Sequence, residues 1–303
     1  MGGRFMTETT IGVVGLGRVG RGLVTMLSRR GTKTHMYNRT AARALEMSEI
    51  AGGSVAMSPA ELARECDVVC VCLAGWEATR TTYLETGGLL DDTGSGRLFI
   101  DLGTLEPAQA RELNDHVTAK GHRFLYAPVA GRPVELEEGR GFVMAAGDPT
   151  GIPTAGAILS GLGTFRHVGD DPGHAAVMKL ATNLLAFATL LATSEALELA
   201  TTAGIDRRRA LEVLEQGPAT SALLTERREA FLDPGSCAVQ GPIDGGLKIY
   251  EMITAFADQV GSQAPQAKAT VELFAEAVAA GFGSRDVTDF GAFLRARQTV
   301  QEG

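Results

Sequence analysis

The sequence predicts a doubly wound α/β domain on a mostly parallel sheet, followed by an all-α domain joined to it through a long helix. Three observations predict this. Short β-branched runs alternate with helical periodicity through the first half, the pattern of βαβ units. The string Gly15-Leu16-Gly17-Arg18-Val19-Gly20 lies where the first strand gives way to the first helix. From Gly173 onward no strand pattern remains, only Ala/Leu/Glu-rich segments. A length of 303 residues suits two domains, set at 1–170 and 171–303.

Taken in order, strands are expected at Thr10–Gly15, Thr34–Asn38, Asp67–Leu73, Arg97–Asp101, His122–Ala127 and Phe142–Ala146. Helices fall between them. Ser58-Pro59-Ala60-Glu61 is a start signal: Ser58 caps, Pro59 suits the first helical position and Glu61 reaches back to the cap amide. Another helix is expected from Pro107 to Lys120, stopping before Gly121. In the second half, breaks are expected at Gly204, Gln216-Gly217-Pro218, Asp233-Pro234-Gly235 and Gly281-Phe282-Gly283. The stretch from Ala175 to Ala203 is nearly uninterrupted helix former and would make a rod of about 40 Å. Such a rod could join the domains and line a cleft between them.

Composition narrows the function. A net charge of −8 excludes a general phosphate-backbone binder, so no nucleic-acid partner is expected. The opening MGGRFMTETT carries no apolar signal region, and a cytoplasmic location is expected. The most apolar stretch, Leu184 to Ala192, is shorter than a bilayer requires, so no membrane span is expected. Cys66, Cys70, Cys72 and Cys237 show no metal-ligand spacing, and no metal is expected. Cys70 and Cys72 sit in an apolar run typical of a strand buried on both faces, where thiols fill core.

The glycine string carries the cofactor argument. Its first glycine permits a tight turn, its second lets backbone approach a pyrophosphate, and its third allows close helix–strand packing, as in the Rossmann dinucleotide-binding unit. Gly15, Leu16, Gly17, Arg18, Val19 and Gly20 are therefore cofactor candidates. The second strand ends at Asn38, Arg39 and Thr40 with no carboxylate to accept from a ribose 2′-OH, while Arg39 can pair with a 2′-phosphate. NADP(H) is expected over NAD(H). Leu73, closing the third expected strand, joins the cofactor-side set, and Trp76 follows on the edge where open sheets bind ligands.

Hydride transfer also needs a group to exchange the hydroxyl proton. Lys179 and Asn183, four residues apart at the start of the long helix, project from one face. With Ala127-Pro128-Val129-Ala130-Gly131, Gly173-His174-Ala175-Ala176-Val177-Met178-Lys179, Asn183, Lys248 and the glycine string, the chain resembles the β-hydroxyacid dehydrogenases in motif order and spacing. These are the 3-hydroxyisobutyrate dehydrogenase and tartronate-semialdehyde or glyoxylate reductase relatives of 6-phosphogluconate dehydrogenase. The resemblance covers essentially the whole chain. It implies that Lys179 is the catalytic proton donor and acceptor, that Asn183 orients the reacting oxygen, and that Lys248 lies near nicotinamide and substrate. It further implies that Thr104 belongs to a cofactor-side loop and that the Gly131 amide holds a substrate carboxylate. A lysine partly desolvated between domains should have a lowered pKa.

Departures from the family pattern bear on substrate. Its D-A-P-V-S-G-G reads Tyr126-Ala127-Pro128-Val129-Ala130-Gly131-Arg132, so the serine hydroxyl is absent and Arg132 is expected to bond an anionic group. The family's D-x-S-T has Gly103 for serine, and its K-D pair reads Lys248-Ile249. The expected activity is NADP(H)-dependent interconversion of a small β-hydroxyacid and its semialdehyde or keto acid, by a homodimer or homotetramer. The alternatives are an imine reductase, which usually replaces the lysine, and a non-catalytic NADPH-binding regulator.

Overall fold

The computed structural model describes residues 9–91, 94–131, 135–136 and 138–301. Nine strands among them form one sheet: β1 Ile11–Val14, β2 Thr34–Tyr37, β3 Ser54–Val55, β4 Val68–Val71, β5 Leu98–Asp101, β6 Arg123–Tyr126, β7 Val129–Ala130, β8 Gly141–Gly147 and β9 Gly163–Gly169. Six run parallel in the order β3-β2-β1-β4-β5-β6. Strand order reverses between β1 and β4, which opens a crevice at the carboxyl ends of those two strands. β8 then pairs antiparallel with β6 and β7, and β9 pairs parallel with β8.

Every residue of β1, β4 and β5 is buried, because helices cover both faces. Ile11, Val13, Cys70 and Ile100 pack with Leu23 and Leu27 of helix Arg18–Arg29 on one side. Val69, Val71 and Phe99 pack with Leu113 and Val117 of helix Pro107–Ala119 on the other. Each such aliphatic side chain contributes about 1.5–3 kcal/mol. Burial pushes the thiols of Cys66 and Cys70 up to about 12, so they are core atoms, not nucleophiles.

All six expected strands are present. β3 and β7 span two residues each and are too short to show alternation in sequence. β9 escapes detection because it carries exposed Arg166 and His167 between flanking glycines, the charged profile of an edge strand. Helix Pro59–Glu65 starts as expected, Ser58 Oγ accepting the Glu61 N–H at 3.1 Å. The Glu61 carboxylate, however, accepts from Met57 N at 2.7 Å, one residue before the expected cap amide.

The long helix runs Gly173–Thr202, about 45 Å for 30 residues. Asp171 starts it: Oδ1 accepts the Gly173 N–H at 2.8 Å, and Arg111 Nε grips the same carboxylate at 2.9 Å. By length and composition alone this helix could cross a membrane, but it carries Lys179, Glu195 and Glu198, and its Leu190, Leu191 and Leu197 belong to a core. The chain divides into two compact units, Met1–Lys179 and Leu180–Gly303, with the boundary inside this helix. Among its described residues the second unit is helical. Tyr250, Phe274 and Phe290 form an aromatic chain at its centre, and Tyr250 Oη donates to the Leu184 carbonyl at 2.8 Å. The buried pair Arg227–Asp286, at 2.7 Å, ties its helix connections together.

Candidate active site

The glycine string has the geometry its spacing implies. Gly15 has φ +87°, and a Cβ there would stand 2.6 Å from the Cys72 carbonyl oxygen, so only glycine makes this turn. A Cβ on Gly20 would collide with the Gly15 carbonyl oxygen, so the third glycine lets helix and turn close up. Gly17 is different: it is exposed, and nothing lies within 4 Å of where its Cβ would be. It precedes helix Arg18–Arg29, which has neither a side-chain cap nor an acidic residue in its first turn. An open, uncapped helix N-terminus of this kind suits a pyrophosphate.

A cavity of about 970 Å³ opens beside it, lined by Gly15, Gly17, Asn38, Arg39, Thr40 and Leu73 of the expected cofactor set, together with Trp76. Leu16, Arg18, Val19, Gly20 and Thr104 are not on its wall. Asn38 braces the turn: Oδ1 accepts the Leu16 N–H and Nδ2 donates to the Thr40 carbonyl, each at 3.0 Å. Arg39 and Thr40 remain exposed beside it. Arg43 also lines the cavity, and sequence reasoning missed it. The signal was present, since a cation in the first turn of helix Ala41–Ala51 opposes the helix dipole and suits a site that receives an anion. Two guanidinium groups, a bare helix N-terminus and a roomy cavity fit an NADP(H) nucleotide.

Past β5 the chain turns through Leu102-Gly103-Thr104-Leu105, of which Thr104 alone is exposed. Gly103 lies against β4's end, where a Cβ would stand 2.7 Å from the Leu73 carbonyl oxygen, so this chain has no room for the serine of the family pattern. The buried Asp101 carboxylate accepts the Gly103 N–H at 2.8 Å. Burial pushes this carboxyl up to about 7, opposed by the Gly103 N–H and the nearby Tyr83 hydroxyl. Neither Asp101 Oδ2 nor Tyr83 Oη makes a well-formed hydrogen bond.

Lys179 is partly buried, and its Nζ donates to the Val129 carbonyl at 3.1 Å. Desolvation lowers its pKa below the ordinary lysine range. Gly131 follows β7 with φ +137°, exposed, and a Cβ there would press on Gly141 and Leu136 at 3.2 Å. The first unit thus brings Lys179 to the β7 strand that leads into Gly131. Asn183 lies one helical turn beyond Lys179, partly buried, in the second unit. Lys248 is exposed on helix Ile243–Gln259 of that same unit. Arg132 lies outside the described residues. Among the described residues no cluster of three His, Cys, Asp or Glu side chains is arranged to hold a metal ion.

Two family models together match most of the chain. Residues 10–169 match the model of the NAD-binding domain of 6-phosphogluconate dehydrogenase. Residues 173–294 match the NAD-binding domain of NADP-dependent 3-hydroxyisobutyrate dehydrogenase. Glyoxylate/succinic semialdehyde reductase 1 of Arabidopsis thaliana is 28% identical over 292 residues, 96% of this chain and 99% of the relative. The cytokine-like nuclear factor N-PAC of Xenopus tropicalis is 28% identical over 93% of this chain, which spans about half (52%) of that longer protein. The 3-hydroxyisobutyrate dehydrogenase of Mycobacterium tuberculosis shares the fold with a TM-score of 0.81 at 22% identity, covering 95% of this chain and 99% of its own. An imine reductase from Myxococcus stipitatus shares it at 0.62 and 22%, covering 94% and 99%.

Proposed function

The chain belongs to the β-hydroxyacid dehydrogenase family, as an NAD(P)-dependent dehydrogenase or reductase, and we propose that it uses NADP(H) to interconvert a small β-hydroxyacid with its semialdehyde or keto acid. The observation that carries this reading is the partly desolvated Lys179 amine, held at the Val129 carbonyl with Asn183 one turn along the same helix. Bound at the glycine turn, the dinucleotide supplies or accepts the hydride. Arg39 and Arg43 hold its 2′-phosphate, and the backbone at Gly17 approaches its pyrophosphate. Lys179 gives a proton to the substrate oxygen in reduction and takes it back in oxidation. Its lowered pKa brings that exchange closer to neutrality. Asn183 orients the oxygen, the Gly131 backbone and Arg132 meet the anionic end, and Lys248 adds positive charge for that end.

Consumption of NADPH, with NADH alongside, across glyoxylate, succinic semialdehyde and related keto acids tests the reading. Turnover with these acids that vanishes in Lys179→Ala is expected. The likeness to imine reductases supports a second reading. Reduction of cyclic imines, with the aldehyde and keto acids untouched, would establish that reading in place of the first.

A further inference from the structure

The loop that carries Thr104 is held by buried side chains from two neighbouring strands. Asp101, the last residue of β5, accepts the Gly103 N–H at 2.8 Å. Tyr126, the last residue of β6, accepts the Leu105 N–H at 3.0 Å through its hydroxyl and donates to the Gly103 carbonyl at 3.2 Å. Both anchors are fully buried, at 0% and 1% exposure, so the grip does not compete with water. The backbone on each side of Thr104 is fixed while Thr104 itself stays exposed.

Sheet order says which part of the dinucleotide this loop addresses. Arg39 follows β2, the glycine turn follows β1, and Thr104 follows β5, giving the order β2-β1-β4-β5 across the carboxyl edge. At about 4.8 Å per strand, Thr104 lies roughly 14 Å from the Arg39 end, on the opposite side of the pyrophosphate turn. A dinucleotide with its 2′-phosphate at Arg39 therefore extends its nicotinamide half toward Thr104.

We propose that Tyr126 and Asp101 are positioning residues that present Thr104 to the nicotinamide half of the cofactor. The inference rests on the NADP(H) reading above. Tyr126 stands where the family pattern has aspartate and Gly103 where it has serine, and the two departures meet in one hydrogen bond. Position 103 cannot regain its serine without moving the Leu73 carbonyl.

The test compares two ligands by calorimetry: NADPH, and 2′,5′-ADP, which lacks the nicotinamide half. Tyr126→Phe keeps the ring and deletes the hydroxyl. It should weaken NADPH about tenfold and leave 2′,5′-ADP unchanged. Thr104→Ala, an exposed change that spares the core, should do the same. The double variant should be no weaker than Thr104→Ala alone, since both changes break one chain of contacts. Asp101→Ala, which removes the acceptor of the Gly103 N–H, should likewise weaken NADPH and spare 2′,5′-ADP, and Asp101→Asn, which retains an acceptor, should restore the affinity. Equal weakening of the two ligands by Tyr126→Phe, no weakening, or additive losses in the double variant would overturn the proposal. If Tyr126→Phe fails to fold, a Thr104→Ala protein with unaltered NADPH affinity overturns it. A wild-type protein that binds neither ligand instead removes the NADP(H) reading itself.

Discussion

Lys179 Nζ donates to the Val129 carbonyl at 3.1 Å, which fastens the amine to strand β7 rather than leaving it to wander in solvent. Fixed and desolvated, it should act as the proton carrier. Reduction needs the ammonium form, so kcat/KM for reduction should be level at lower pH and fall as pH rises through a pKa below the usual lysine value of about 10.4. Oxidation needs the free amine and should rise over the same interval. Lys179→Met should lower turnover by about 10²–10⁴ with NADPH affinity retained. A reduction profile that first breaks near the ordinary lysine value would count against the assignment.

Arg39→Ala should discriminate between the two coenzymes. Removing a charge-assisted bond to a 2′-phosphate costs about 1.5–3 kcal/mol, or roughly 10- to 150-fold in NADPH affinity. NADH, which has no such group, should bind as before. Steady-state KM values for both coenzymes settle it: an equal rise in each would mean that Arg39 serves the turn and not the phosphate.

Restoring the family's serine at position 103 should be harmful here. The added Cβ would meet a backbone oxygen 2.7 Å away, and relief requires shifting β4's end or the Thr104 loop. Gly103→Ser should cost about 1–3 kcal/mol in urea denaturation. Gly103→Ala should cost the same, because the obstacle is steric. An Ala variant as stable as wild type would show that the loop relaxes freely.

Two buried aspartates should give opposite pH dependences. Asp101 has a folded pKa of about 7, above its unfolded value, so its contribution is most favourable when protonated and is lost as pH rises between about 4 and 7. Asp101→Asn should therefore gain stability over wild type at pH 8 relative to pH 5. Asp286 runs the other way. Burial alone would raise it, but Arg227 and the N–H groups of Gly241, Thr288 and Gln240 outweigh that and hold its pKa low. Its stabilisation is full above the unfolded value and disappears only as pH falls through the depressed one. Asp286→Ala strands the buried Arg227 cation and should cost about 3–5 kcal/mol near neutrality. Melting temperatures of both variants from about pH 2 to 8, a range that runs below the ordinary carboxylate value, provide the check.

The sheet was legible in sequence where strands were long, apolar and buried on both faces, as at Ile11–Val14 and Val68–Val71. It was illegible at Val129–Ala130, which pairs through tertiary contacts and has no periodicity of its own. The same holds at the site. Gly15 and Gly20 could be read because backbone geometry demands glycine at both. Asn38 is expected in the cofactor set from its place after the second strand, and it lines the cavity; that its amide also braces Leu16 and Thr40 is visible only in the folded turn. The Tyr126 hydroxyl reaching the Thr104 loop could not be foreseen either, since 21 residues separate Tyr126 from Leu105.

The burial of Cys66 and Cys70 has a practical consequence. With those two thiols sealed in the sheet domain, and Cys72 also held far above the usual thiol range by desolvation, a maleimide dye at neutral pH should attach at Cys237. The helical unit therefore comes with its own attachment point for a fluorescent label, with no residue engineered.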